Sequence, residues 1–115
     1  MRTAFIVLMA AASLSAAQAA KPQAAKAQAF TGVITDNMCA KGDHSQMQMG
    51  PTDADCVKAC VAAHGATYVL WDGKNVYELS DQKTPEQFAA KKVTVTGTLD
   101  PKAHKIAVRS MTAAK

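Results

Sequence analysis

The strongest structural signal in the sequence is the strict alternation of apolar and polar side chains at residues 92–99, KVTVTGTL. Alternation with a period of two is typical of a half-buried β-strand. Four other segments have the β-branched or aromatic composition of strands and are bounded by turn residues: 30–35, 66–71, 75–79 and 105–111. The pair Asp72-Gly73 predicts a hairpin between the second and third of the five strands.

Two helices are predicted between the strands. Thr52 or Asp53 can cap a helix over residues 54–63, with Gly65 just past its end. Thr84 and Pro85 open a second, short helix. The order strand, loop, helix, strand, strand, short helix, strand, strand predicts a mainly β (α+β) domain over residues 30–112. It matches the small five-stranded barrel called the OB-fold, with an added cysteine-bearing helix between strands 1 and 2. The alternative is a plain antiparallel sheet with helices on one face.

The N-terminus has the parts of a secretory signal peptide. Residues 1–3 give a positive start, residues 4–12 are apolar, and residues 17–19 fit the A-x-A cleavage pattern. The apolar run is shorter than the roughly 20 residues of a membrane span, which disfavours a retained anchor. We therefore expect removal of residues 1–19, a flexible leader at 20–29, and a periplasmic or secreted domain with no membrane span.

The charge and the motifs of the chain limit the classes of function that we expect. The formal net charge is +4, but the lysines are scattered, so nucleic-acid binding is not expected. No Ser/His/Asp set, carboxylate pair or glycine-rich phosphate loop stands out, which favours a binding protein over an enzyme. Aromatic residues on the second and third strands, Tyr68, Trp71 and Tyr77, would suit stacking on a sugar or base, although core packing explains them equally simply. The partner would be an envelope or extracellular molecule.

The three cysteines all lie between residues 39 and 60. Outside the cytoplasm, thiols tend to form disulfides or to bind metal. A disulfide between Cys56 and Cys60 is unfavourable within a regular helix, because their Cβ atoms would lie ~5–6 Å apart where a bridge needs about 3.8 Å. Cys39 paired with Cys56 or Cys60 is more plausible, and such a bridge would contribute roughly 2–4 kcal/mol while leaving one thiol free.

Metal binding is the other interpretation of the same segment. Thiolate, thioether and imidazole groups are ligands for copper and zinc. The predicted metal ligands are Cys39, His44, Cys56, Cys60 and His64. Met47 and Met49 offer thioethers in the loop, or act as flexible fillers of the core. A thiol oxidoreductase is less favoured, because Cys-x3-Cys is not the Cys-x2-Cys motif and no thioredoxin pattern surrounds it.

Several segments resemble a family of small secreted bacterial proteins of unknown function. The resemblance covers roughly residues 30–111 and is carried by GVITD, MC, CVKAC, YVL, VYEL and VTVTGT, at residues 32–36, 38–39, 56–60, 68–70, 76–79 and 93–98. The resemblance implies that Cys39, His44, Cys56 and Cys60 belong to one site. It does not imply any particular activity, because the function of the family is unknown. The chain departs from the pattern at Ala40, where glycine is expected, and in its additional His64.

Taken together, these observations predict a secreted or periplasmic, non-enzymatic protein that binds copper or zinc through a Cys/His cluster. The alternative is a domain stapled by a disulfide from Cys39 that binds a protein or a glycan.

Overall fold

The computed structural model describes residues 26–115. The predicted signal peptide, residues 1–19, and the first part of the predicted leader, residues 20–25, lie outside the described residues. The elements in chain order are β1 (Gln28–Asp36), α1 (Asp53–His64), β2 (Tyr68–Trp71), β3 (Val76–Leu79), a 3-10 helix (Thr84–Phe88), β4 (Lys92–Asp100) and β5 (Lys105–Ala113). The predicted mainly β architecture, with a helix between β1 and β2 and a helical turn between β3 and β4, is confirmed.

The five strands form one sheet that closes in the order β1-β2-β3-β5-β4. Strand β1 pairs antiparallel with β2 on one side and with β4 on the other. The β2–β3 hairpin and the β4–β5 pair are also antiparallel. Strands β3 and β5 run parallel. The alternative of a plain antiparallel sheet is therefore wrong.

Strand β1 changes partner along its length. Its first part pairs with β4, from Gln28 opposite Gly97 to Val33 opposite Lys92. From Val33 to Asp36 it also pairs with β2. The strand begins two residues before the predicted start at residue 30, because pairing through the backbone does not require the large apolar side chains that marked the start in the sequence. Its last residue, Asp36, lies opposite Tyr68.

The core lies inside the closed sheet, and α1 covers one end of it. The buried side chains that form it are Ile34, Val57, Tyr68, Leu70, Leu79, Ala89, Val93, Val95 and Ile106. Val57 is the contribution of α1 to this cluster, and it anchors the helix face that also carries Cys56 and Cys60. Val57 therefore joins α1 to the core on the same helix face that carries the two cysteines.

The side chain of Gln82 fastens the segment after β3 to the start of β2. Its Oε1 accepts a hydrogen bond from the backbone amide of Tyr68 at 2.8 Å. Its Nε2 lies 3.0 Å from the Tyr68 carbonyl oxygen and 2.9 Å from that of Leu79, and donates to them. At this end of the sheet, hydrogen bonds from a side chain therefore take the place of backbone pairing. No helix within residues 26–115 is long and apolar enough to cross a membrane.

Candidate metal centre

Strand β1 delivers two buried polar residues, Thr35 and Asp36, to the start of the loop that leads to α1. The strand end is fixed by backbone pairing, since the Asn37 amide donates to the Thr67 carbonyl oxygen at 3.0 Å. The Thr67 amide in turn donates to the side-chain oxygen of Asn37 at 3.1 Å. Asp36 is therefore held in place at the end of the barrel before the chain enters the loop.

The turn after β1 positions Cys39. Asp36 Oδ1 accepts hydrogen bonds from the backbone amides of Met38 and Cys39, both at 2.9 Å. The hydroxyl of Thr35 donates to the carbonyl oxygen of Cys39 at 2.8 Å. Aspartate commonly closes turns in this way, by accepting from amides a few residues further along the chain. Both backbone groups of Cys39 are thereby bound to the end of β1.

Three potential metal ligands meet at this turn: Asp36, Cys39 and His44. One ligand atom from each lies within 4.8 Å of those of the other two, and all three residues are buried. The ligand atoms of a tetrahedral zinc site lie about 3.3–3.8 Å apart when the bonds are about 2.0–2.3 Å long.

Two polar atoms of this group have no hydrogen-bond partner within the described part of the chain. They are Asp36 Oδ2 and His44 Nδ1, on side chains that are 0% and 7% exposed. Leaving a buried polar group unpaired costs about 1–3 kcal/mol, and more for a charged group. A carboxylate oxygen and an imidazole nitrogen are acceptors suited to a cation, so a bound metal ion would satisfy both.

Helix α1 presents the other two cysteines. It begins after Thr52, whose hydroxyl oxygen accepts a hydrogen bond from the Asp55 amide at 3.1 Å. Its last residue is followed by Gly65, which has the left-handed conformation with φ of 66°. Cys56 and Cys60 lie one turn apart on its buried face. The predicted helix and its cysteine-bearing face are confirmed, with one more residue at each end than the sequence indicated.

Cys56 and Cys60 form a second cluster, which we call the sulfur cluster, together with the packed side chains of Met47 and Met49. The Cys56 thiol donates to the Met47 carbonyl oxygen, with Sγ and oxygen 2.9 Å apart. The Met49 amide donates to the same sulfur at 3.5 Å. Ala66 and Val61 complete the cluster. The loop is therefore folded back onto α1 and held there through a sulfur atom.

The surroundings of Cys39 and Cys60 raise the pKa of both thiols. Burial is the largest cause for Cys60, followed by the Asp36 carboxylate and Cys56, and together they raise its pKa to about 11. Burial also raises the pKa of Cys39, again reinforced by Asp36 and Cys56. All three cysteines are free thiols in the structure.

A polar cleft adjoins both clusters. It has a volume of about 420 Å³, and its lining includes His44 and Cys56. Asp43 and Asp53 also line it, so the cleft carries two acidic side chains. Acidic groups in a cleft attract cations and raise their local concentration. The cleft thus gives solvent ions a route to one member of each cluster.

The structure distributes the predicted ligands over three places. It brings Cys39 and His44 together, and it places Cys56 and Cys60 in the neighbouring sulfur cluster. His64 is exposed in the last turn of α1 and does not belong to the Asp36, Cys39 and His44 group. Asp36 was not predicted. The available signal was an aspartate at the end of a strand with a cysteine three residues later, the spacing of an aspartate-closed turn.

The aromatic residues mainly serve packing. Tyr68 is buried in the core. Tyr77 packs against Phe30 with ring centroids 5.5 Å apart. Trp71 is half-buried at the end of β2. Of the three, none presents a fully exposed ring for stacking.

The donor set of the first group consists of one carboxylate, one thiol that would bind as a thiolate, and one imidazole. These are the ligand types that zinc accepts, and imidazole and thiolate also suit copper. Comparison of the chain with protein-family models, with curated proteins and with solved structures gave no match. Any functional conclusion therefore depends on the residues of this chain alone.

Proposed function

We propose that this chain is an exported, non-enzymatic metal-binding protein, and that Asp36, Cys39 and His44 bind zinc or copper. The observation that carries the proposal is the convergence of three buried potential ligands, two of which also carry a polar atom without a hydrogen-bond partner among the described residues. Buried polar atoms are nearly always paired in native proteins. Two unpaired acceptors beside a buried thiol are more simply explained by a cation than by packing.

Zinc is the metal that this first group favours. Zinc accepts oxygen, nitrogen and sulfur donors together, whereas monovalent copper prefers sulfur. Three protein ligands would leave a fourth position for water or another small ligand, which the cleft beside His44 can admit. The thiol of Cys39 must lose its proton on binding, so the affinity is expected to increase with pH.

The barrel gives the site its rigid part. We propose that it is OB-like, which is supported by the strand order β1-β2-β3-β5-β4, the parallel β3–β5 pair and the helical turn between β3 and β4. Export to the periplasm or the cell exterior is part of the proposal and is supported by the N-terminal sequence pattern. In that compartment the alternative fate of the thiols is a disulfide from Cys39.

The test is metal titration of the reduced, exported chain under anaerobic conditions. We expect one zinc ion to bind per chain, and cobalt(II) in its place to show the near-ultraviolet band of a cobalt–thiolate bond. His44→Gln should weaken zinc binding about a hundredfold, equivalent to ~2.7 kcal/mol. His64→Gln is the matched control, since His64 is exposed and outside the group.

Two results would contradict the proposal. One is an unchanged zinc affinity in His44→Gln. The other is a single free thiol per chain, with no metal, in protein isolated under non-reducing conditions from its own cell envelope. That second result would favour the disulfide-stapled interaction domain instead.

A further inference from the structure

We infer that the sulfur cluster, formed by Cys56, Cys60, Met47 and Met49, is a second binding site that selects monovalent copper. It is distinct from the Asp36, Cys39 and His44 group, whose ligand atoms lie within 4.8 Å of one another and do not include either helix cysteine. The sequence predicted a single site for all the cysteines. The fold separates a mixed set of ligands from an all-sulfur set.

The composition of the cluster selects the metal. Two cysteines and two methionines pack together in this cluster, and both thiols are buried, with Cys60 0% exposed. Soft thiolate and thioether ligands suit monovalent copper, although thiolates also bind zinc. Zinc takes thiolate, imidazole and carboxylate but not typically thioether. A cluster whose only potential ligand atoms are thiol and thioether sulfurs therefore favours monovalent copper over zinc.

The hydrogen bonds of Cys56 bring the thioethers to the helix. The Cys56 sulfur is bound to the backbone of both methionines, as donor to Met47 and as acceptor from Met49. The Met49 amide can continue to donate to the sulfur when the sulfur binds a metal ion. The contact with the Met47 carbonyl oxygen is the one that metal binding would release.

The binding step balances without a change of oxidation state. One monovalent copper ion replaces the protons of the two thiols, two protons pass to solvent, and the site becomes a bis-thiolate complex with net charge −1. One or both methionine thioethers complete the coordination without losing a proton. The cleft lined by Cys56 gives the ion its entry.

Packing alone is the competing explanation, because methionine is a common filler of irregular gaps. The two explanations differ in what a leucine at the same position does. Leucine has about the volume of methionine and usually costs less than ~1.5 kcal/mol in a core, but it has no sulfur. The double variant Met47→Leu with Met49→Leu therefore removes the ligands and keeps the packing.

The experiment measures monovalent copper affinity under anaerobic conditions by competition with bathocuproine disulfonate, and zinc affinity separately. The double methionine variant should bind copper at least about tenfold more weakly, equivalent to ~1.4 kcal/mol, with zinc affinity unchanged. His44→Gln should instead weaken zinc binding and leave the copper affinity unchanged. Met111→Leu is the matched control, because Met111 packs against the barrel core and not against the sulfur cluster.

Copper K-edge X-ray absorption of the wild-type chain gives a readout that does not depend on any variant. We expect sulfur scatterers only. A nitrogen or oxygen ligand on copper would overturn the inference, as would copper binding that His44→Gln weakens or that the double methionine variant leaves unchanged. None of these three results would affect zinc binding at Asp36, Cys39 and His44, so the two proposals can fail separately.

Discussion

Asp36 binds the backbone of Cys39 with one carboxylate oxygen, while its other oxygen has no hydrogen-bond partner among residues 26–115. The same residue therefore shapes the turn and offers a ligand. Oδ1 fixes the position of the thiol, and Oδ2 is one of the buried atoms without a partner among the residues described. Because the two oxygens have different roles, the turn and the proposed metal site can be tested separately.

Asp36→Asn is expected to keep the turn and weaken the metal site. The amide oxygen can still accept from the Met38 and Cys39 amides, so the metal-free variant should be about as stable as the wild type. Zinc affinity should fall about a hundredfold, or ~2.7 kcal/mol, because an anionic ligand is lost. Calorimetric titration with zinc and thermal unfolding of the metal-free chain measure the two effects.

Asp53→Asn is the control for that variant, since Asp53 is an exposed residue that lines the cleft outside the ligand group. A similar loss of zinc affinity in both variants would point to the general negative charge of the cleft. In that case Asp36 would not be a ligand.

The raised pKa of Cys60 predicts how the stability of the reduced, metal-free chain depends on pH. The pKa is about 11 in the folded chain against an ordinary value of 9.0. Between these values the thiol ionises in the unfolded chain while it stays protonated in the folded one, so the free energy of unfolding should fall as pH rises from about 9 to about 11. Chemical denaturation across this range measures the slope, and Cys60→Ala should reduce it.

The same protonation makes Cys60 a poor nucleophile at neutral pH, because the thiolate is the reactive form. Alkylation of the folded, metal-free chain at pH 7 should therefore be slow at this residue and fast only after unfolding. Rapid alkylation of the folded chain would contradict the buried position of the thiol.

Removing the cap of α1 should destabilise the chain by about 1 kcal/mol, the usual effect of replacing an N-cap threonine by alanine. In Thr52→Ala the Asp55 amide loses its acceptor. Chemical denaturation of the reduced chain measures the change. Thr112→Ala, an exposed strand position, provides the comparison, and an equal effect of both variants would mean that the cap contributes nothing specific.

Gly32→Ala should destabilise the barrel by about 1–3 kcal/mol, the usual cost of forcing an extra methyl group into a packed site. A Cβ at Gly32 would collide with the backbone carbonyl of Trp71 on β2, and this backbone cannot move without disturbing the β1–β2 pairing. The thermal unfolding midpoint measures the effect. An unchanged midpoint would show that β1 and β2 separate more easily than their pairing suggests.

The strands and the helix were predictable because their signals are local. Alternation at residues 92–99 and the cap at Thr52 depend on neighbours in sequence, and the structure places β4 and α1 there. The parallel pairing of β3 with β5 was not accessible from any single segment, since it depends on how distant strands meet. Strand ends were least well predicted, because backbone pairing extends β1 to Gln28 without an apolar side chain.

The candidate site was predictable by residue type and only partly by position. Cys39 and His44 were expected to lie together because both are soft ligands in one loop, and they do. The separation of Cys56, Cys60 and the two methionines from Cys39 and His44 was not foreseen, because it depends on two hydrogen bonds between a loop backbone and one thiol. Asp36 was missed because an aspartate at a strand end is ordinarily a turn residue, and only its burial distinguishes it.

The hydrogen bonds between Gln82 and Tyr68 connect the proposed metal site to a residue outside its ligand group. Tyr68 is the partner of Asp36 across the β1–β2 pair, so the register that aims the carboxylate is set in part by a glutamine more than forty positions later in the chain. Natural variants at position 82 should therefore alter metal retention while every ligand remains intact. A survey of sequence variation confined to the cysteines and histidines would overlook them.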